Sequence, residues 1–67
     1  MYTFAERLKE LREEKNLTQK QIADIAGVTL SAVSLWEKKK HPPTVDKVIL
    51  LARYFGVTVG YIVGVED

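Results

Sequence analysis

Apolar residues recur at intervals of three and four along the chain, which is the spacing of one face of an α-helix. They form five groups: Phe4, Leu8 and Leu11; Ile22, Ile25 and Ala26; Val33 and Trp36; Val48, Leu51, Ala52 and Phe55; and Val59, Ile62 and Val63. No stretch of useful length alternates apolar and polar residues as a half-buried strand would. The pattern predicts an all-α fold whose helices lie at about 4–15, 19–26, 30–38, 45–55 and 59–63.

A threonine stands just before each predicted helix, where its hydroxyl can accept hydrogen bonds from free N–H groups. Thr3 with Glu6, and Thr18 with Gln21, have the spacing of a capping box. The remaining threonines, each placed to cap a helix in the same way, are Thr29, Thr44 and Thr58. Glycines follow the apolar segments and are typical of helix C-terminal caps; they are Gly27, Gly56 and Gly64.

Residues 18–37 fit two short helices joined by a tight turn. Ala23 is small enough for the second helix to cross close by, and Gly27 can adopt a positive φ at the turn. Val28 and Val33 are expected to point into the core. Two helices joined in this way form a helix-turn-helix unit, whose second helix enters the DNA major groove.

Length and composition agree with one small domain over residues 1–67. The chain has no cysteine, so neither a disulfide nor a cysteine-based metal site is expected. It carries no stretch resembling a signal peptide or a membrane span, so we expect a cytoplasmic protein without membrane contact. The net charge is only +1, but residues 18–43 carry four lysines against two acids. A positive excess on the motif is typical of a surface that faces phosphate.

Four segments in order resemble the Cro and phage-repressor (XRE-like) helix-turn-helix family. They read FAERLKELREEKNLTQ, QIADIAGV, SAVSLWE and LARYFGVTVGYIVG, and together they cover nearly the whole chain. The resemblance implies a five-helix, lambda-repressor-like DNA-binding domain with the helix-turn-helix at helices 2 and 3. It also implies a transcriptional regulator, most often a repressor, that binds a palindromic operator in double-stranded DNA as a homodimer.

The resemblance assigns roles to particular residues. The base-reading positions are Thr29, Leu30, Ser31, Ser34 and Leu35. The phosphate-binding positions are Thr18, Gln19, Lys38, Lys40 and Thr44. Arg12 and Glu37 match a structural ion pair that ties helix 1 to the end of helix 3. The candidates for the dimer interface, near the helix 4–5 corner, are Tyr54, Val57, Val59 and Tyr61.

Two departures from the family pattern change these expectations. Members commonly have a hydrogen-bonding residue where this chain has Leu30 and Leu35, and leucine can contact only a thymine methyl or an apolar sugar edge. Lys39 stands where the family often has glycine. The resemblance therefore does not establish that the chain makes the family's tight turn at that position after helix 3.

The residues also bear on two other classes of function. The leucines on helix 3 favour a protein-interaction module of the same fold, such as an antitoxin or an anti-repressor partner. An enzyme is not expected, because the single histidine, His41, has no evident nucleophile or acid–base partner. No cofactor or metal is expected, and a domain this small leaves little room for a pocket of roughly 300 Å³.

Overall fold

A computed structural model describes residues 2–67, and Met1, the first residue of the predicted domain 1–67, lies outside the described residues. Within residues 2–67 the chain forms five α-helices: α1 (Phe4–Glu14), α2 (Gln19–Ala26), α3 (Leu30–Glu37), α4 (Val45–Phe55) and α5 (Val59–Ile62). Every predicted helix is confirmed, with bounds that agree to within one residue. The described part of the chain contains no strand, so the all-α fold class is confirmed.

Four of the five threonines cap a helix as predicted. Both capping boxes are complete, and the hydroxyls of Thr29 and Thr58 each accept a hydrogen bond from the backbone N–H three residues later. The prediction for Thr44 was wrong, because its side chain makes no cap hydrogen bond. Its hydroxyl instead donates to the carboxylate of Asp46, which competes for it within the same turn.

The core draws side chains from all five helices. The largest fully buried residues are Leu8, Ile22, Val33, Leu51 and Ile62. Trp36 is buried as predicted, with Phe4 packed edge-on against it at a ring-centroid distance of 6.1 Å. Val59 was expected to line the core, but it is 43% exposed. It begins a helix of only four residues, in which Ile62 alone reaches the interior.

Helix packing leaves one side of α3 uncovered. α1 packs against α3 and α5, α4 packs against α2 and α5, and α2 packs against α3. Val33 and Trp36 of α3 face this assembly and are buried, whereas Leu30 and Leu35 are 47% and 41% exposed. The outward side of α3 therefore includes two of the exposed apolar side chains of the described residues.

No helix within residues 2–67 combines the length and the apolar character that a membrane span requires. The same residues hold no group of three or more acidic, histidine or cysteine side chains placed to bind a metal ion.

Candidate nucleic-acid interface

The turn between α2 and α3 has the geometry that its residues predict. Gly27 adopts a left-handed conformation with φ 71°, which a residue with a Cβ adopts only at a cost. The N–H of Val28 then donates to the carbonyl of Ala23 at 2.9 Å and closes the turn. Ala23 is 1% exposed, so α2 and α3 approach closely at this point. The two helices form a helix-turn-helix.

Four of the five predicted base-reading residues lie along the uncovered side of α3, and the fifth, Thr29, precedes the helix as its N-cap. Leu30, Ser31 and Leu35 are exposed, and Ser34 is half-buried. With a helical turn of about 100° per residue, the two serines lie between the two leucines on this face. Thr29 is exposed, and its hydroxyl oxygen already accepts the N–H of Ala32 at 3.1 Å, which leaves its O–H donor and one acceptor lone pair available. The face therefore combines three hydroxyls with two apolar side chains.

The predicted phosphate-binding residues differ in whether their polar groups are already bonded to other residues of the chain. Lys38 and Lys40 are exposed, and neither forms a salt bridge with an acid of the described chain. Thr18 begins α2 and its oxygen accepts the N–H of Gln21 at 3.1 Å. Thr44 is bonded to Asp46, and that hydrogen bond is the main cause that lowers the pKa of the Asp46 carboxyl. A carboxylate held ionised at this point opposes a phosphate contact by Thr44.

The predicted ion pair between Arg12 and Glu37 is present and is part of a larger network. The Nε and Nη2 atoms of Arg12 donate to the two carboxylate oxygens of Glu37 at 2.8 and 3.0 Å. Arg12 Nη1 also donates to the carbonyl of Leu17 at 3.0 Å. Its side chain is 14% exposed and that of Glu37 is 6% exposed. The hydrogen bond to Glu37 is the main cause that raises the pKa of Arg12.

Gln19 joins this network at the first position of α2. Its amide nitrogen donates to Oε1 of Glu37 at 3.0 Å, and the second amide hydrogen stays available. A primary amide has two donors, so Gln19 can hold Glu37 and still donate to a phosphate. The network fixes the start of α2 and the end of α3 against α1, which sets the position of the outward face of α3.

The exit turn of α3 keeps its tight geometry without glycine. Lys39 has φ 61°, and its N–H donates to the carbonyl of Trp36 at 3.1 Å. The N–H of Lys40 donates to the carbonyl of Leu35 at 2.9 Å. A left-handed conformation costs a residue with a Cβ roughly 1–2 kcal/mol. The turn therefore contains one residue in a strained conformation. Lys38 and Lys40, on either side of Lys39, are exposed.

Arg7 is the residue that sequence reasoning missed. It is 3% exposed, and its guanidinium carbon lies 4.1 Å from the ring centroid of Tyr2 and 3.9 Å from that of Tyr61. Its Nε and Nη1 atoms are buried without a hydrogen-bond partner among the described residues. Tyr2 and Tyr61 lie at opposite ends of the chain, so no local spacing indicates this contact.

The four candidates for a dimer interface are not equally accessible. Tyr54 is 47% exposed and packs edge-on against Phe55. Val59 is exposed, whereas Val57 and Tyr61 are half-buried. One face of the Tyr61 ring is occupied by Arg7, which leaves less of this ring for a second chain. Tyr54 and Val59 are thus the better candidates.

A cleft lies between the start of α1 and the exit loop of α3. It contradicts the expectation that so small a domain has little room for a pocket of roughly 300 Å³. It has a volume of about 330 Å³. Its apolar walls are Phe4, Ala5, Trp36, Pro42 and Pro43, and its polar lining is Thr3, Lys39, Lys40 and His41. Pro42 and Pro43 cannot continue a helix, so this segment leaves α3 as a loop beside α1 and forms one side of an open cleft that the helix pattern alone does not reveal.

These features define the chain as a helix-turn-helix domain. The helix-turn-helix family pattern matches residues 8–62, which is most of the described chain. The protein therefore belongs to the Cro and phage-repressor-like helix-turn-helix family of DNA-binding transcriptional regulators, and the resemblance seen in the sequence is confirmed.

Particular relatives support this assignment. The chain is 36% identical over 64 residues to the uncharacterized HTH-type transcriptional regulator YobD of Bacillus subtilis (strain 168), covering 96% of this chain and 57% of YobD. A transcriptional regulator from Listeria innocua has a TM-score of 0.91 and 32% identity over 97% of this chain and 61% of its own. The P22 c2 repressor protein, solved in complex with a synthetic operator, has a TM-score of 0.87 over 98% of this chain and all of its own. Its identity of 20% shows a shared fold. The chain spans 57% of the length of YobD, and 31% and 44% of the lengths of two further curated relatives.

Proposed function

We propose that this chain is a sequence-specific DNA-binding domain of a cytoplasmic transcriptional repressor, and that it binds a palindromic operator as a homodimer. The observation that carries the proposal is the uncovered side of α3, which is held in position by the network of Arg12, Gln19 and Glu37. We further propose that the domain has no catalytic activity of its own.

Anchoring is assigned to the ends of the helix-turn-helix. Exposed Lys38 and Lys40 supply positive charge beside α3. The side-chain amide of Gln19 keeps one hydrogen that is not bonded to Glu37. Beside Thr18, the backbone N–H groups of Gln19 and Lys20 open α2, where a helix attracts anions. Thr44 is the weakest member of this set because its hydroxyl is bonded to Asp46.

Base reading is assigned to the outward residues of α3. Leu30 and Leu35 can contact thymine methyl groups, and the hydroxyls of Ser31 and Ser34 can bond to any base edge. This set lacks a side chain that pairs bidentately with guanine or adenine. Recognition therefore depends on thymine methyls and on the sequence-dependent shape of the duplex.

A dimer is proposed because one short helix contacts too few base pairs for useful specificity. A two-fold pair doubles the contacts and places half-sites roughly 34 Å apart, about one turn of DNA. Tyr54 and Val59, exposed by 47% and 43%, supply apolar surface at the corner between α4 and α5, with Val57 and Tyr61 at its edge.

Selection of bound sites from a pool of random duplex DNA tests the proposal. We expect enrichment of a symmetric site, which then binds at least about 10³-fold tighter than a shuffled duplex at physiological salt. Sedimentation should show a dimer on that site. Equal binding to the selected and shuffled duplexes would contradict sequence-specific recognition, and a monomer on the site would contradict the dimer.

The exposure of Leu30 and Leu35 also favours a second candidate, a protein-interaction module that uses the same face of α3. In that case Leu30→Ser together with Leu35→Ser should abolish capture of a protein partner, while weak binding to random DNA stays unchanged. A selected DNA site that is lost in this double variant would instead assign the leucines to DNA.

A further inference from the structure

The cleft between α1 and the exit loop of α3 is apolar inside and cationic at its mouth. Trp36 and Phe4 pack at 75° to each other and, with two prolines, provide the walls. Lys39, Lys40 and His41 belong to the same lining and are all exposed. Among residues 2–67, none of those that line the cleft is acidic.

One acid, Glu6, directly follows the lining residue Ala5 in the chain. The carboxylate of Glu6 accepts hydrogen bonds from the N–H and the hydroxyl of Thr3, both at 3.0 Å. These bonds, and then the nearby charge of Lys39, lower the pKa of Glu6. Glu6 therefore stays ionised beside Thr3 and offsets part of the charge of Lys39, but the two lysines of the lining outnumber this one acid.

The start of α1 adds donors beside these cations. In a helix the first N–H groups have no intrahelical partner, and here the Thr3 hydroxyl satisfies only that of Glu6. The N–H groups of Phe4 and Ala5 belong to residues that line the cleft. A helix N-terminus favours negative charge, so it reinforces the field of the lysines.

We propose that this cleft binds a small organic carboxylate with an aromatic or short aliphatic body. The volume of about 330 Å³ is at the lower end of the roughly 300–1,000 Å³ typical of ligand pockets, which limits the ligand to a single ring or a short chain. The body packs against Phe4, the two prolines and the small accessible part of Trp36, which is otherwise buried. The carboxylate faces Lys39 and Lys40, where hydrogen bonds to an ionised group are stronger than those to a neutral one.

Trp36 provides a direct readout, because it is the only tryptophan of the chain and it lines the cleft. We expect phenylacetate to change the Trp36 fluorescence in a saturable manner, with affinity in the millimolar range. The neutral analogue phenylacetamide has the same ring and should bind about tenfold more weakly, as the loss of one charge-assisted hydrogen bond implies. Equal responses to the two probes, or a response to phenylacetate that never saturates, would overturn the proposal.

A pair of charge-matched variants separates a local cation from the overall charge. Lys39→Asn removes the ammonium group, and asparagine tolerates the left-handed backbone at this position. Lys15→Asn makes the same change in net charge at an exposed residue outside the cleft. Phenylacetate should bind Lys39→Asn several-fold more weakly and Lys15→Asn as well as the parent chain. Equal affinity of all three would overturn the proposal, and unchanged thermal unfolding of Lys39→Asn verifies its fold.

Occupancy of the cleft is also expected to weaken DNA binding, since Lys40 serves both the carboxylate and the proposed phosphate contact. This part rests on the proposed function. A selected duplex should bind several-fold more weakly with saturating phenylacetate than with phenylacetamide and sodium chloride at the same ionic strength. If the duplex does not bind without either probe, the DNA-binding proposal fails. If it binds equally with both probes while Trp36 reports a filled cleft, the coupling is refuted.

Discussion

Removal of the Glu37 carboxylate should destabilise the fold more than removal of any exposed acid. In Glu37→Ala, Arg12 loses two hydrogen bonds of 2.8 and 3.0 Å, and Gln19 loses one of 3.0 Å. Arg12 keeps only its bond to the carbonyl of Leu17, and its side chain is 14% exposed. The variant therefore leaves a mostly buried cation without its counter-charge.

The loss of unfolding free energy expected for Glu37→Ala lies between two limits. Breaking a buried ion pair costs roughly 3–5 kcal/mol, and an exposed pair contributes roughly 0–1 kcal/mol. Because the Arg12 and Glu37 side chains are 14% and 6% exposed, this pair lies closer to the buried limit, with some solvent at its edge. We expect a loss of about 2–4 kcal/mol in the free energy of unfolding. For a domain of this size that is a drop in Tm of roughly 10–25 °C.

Thermal unfolding followed by circular dichroism measures this drop. Glu10→Ala is the matched control, since Glu10 is an exposed acid of α1 with no salt bridge among the described residues, and it should change stability by less than about 0.5 kcal/mol. Replacing both partners, as Arg12→Met with Glu37→Met, should recover part of the loss because no unpaired charge remains. A loss below about 1 kcal/mol for Glu37→Ala would refute the reasoning.

Four further predictions test other parts of the structure. Lys38→Ala should weaken binding to the selected duplex and to random duplexes about equally, and it should reduce the slope of log affinity against log salt concentration by about one unit. A loss of affinity confined to the selected site would assign Lys38 to base reading instead. Arg7→Met should cost less than about 1.5 kcal/mol by chemical denaturation, because an unbranched side chain still fills the space between the two tyrosines. Arg7→Ala leaves that space empty and should cost about 2–4 kcal/mol, so equal losses would contradict a packing role. Lys39→Gly should be neutral or raise the unfolding free energy by up to about 1 kcal/mol as the strain at φ 61° is relieved; a clear loss would show that the lysine side chain stabilises the turn. The pKa of Glu6 is lowered chiefly by its bond to the backbone of Thr3, so its contribution to stability is present above the unfolded value near pH 4.3 and is lost as the pH falls through the folded value. Titration of the Glu6 carboxyl by NMR should give a midpoint below that of Thr3→Pro, which has neither the N–H nor the hydroxyl; equal midpoints would contradict this cause.

The helices were predictable because their signals are local. A capping box such as Thr18 with Gln21 acts within four residues. The positive φ of Gly27 ends α2 through a hydrogen bond between residues that are also close in the sequence. The same local reasoning failed at Thr44, where Asp46 competes for the hydroxyl. It failed at Val59 because burial depends on how one short helix contacts the rest of the domain.

The rest of the site depends on contacts between distant residues. The pairing of Arg12 with Glu37 was expected only because of the family resemblance, and the participation of Gln19 was seen only in the folded chain. Arg7 lies between tyrosines that are 59 positions apart in the chain, and the cleft exists because a loop lies beside α1. Periodicity describes which face of a helix is apolar, but it does not state which distant side chain that face meets.

A change of base preference caused by one residue of α3 tests the central claim most directly. Site selection should be repeated with Leu35→Arg and with the control Ile49→Arg, which places the same charge on a leucine-sized residue of α4 that is 37% exposed. Arginine pairs bidentately with guanine, so Leu35→Arg should select guanine at one symmetric pair of positions, and Ile49→Arg should select the parent site. An identical selected sequence for the parent, Leu35→Arg and Ile49→Arg would contradict base reading by the outward face of α3.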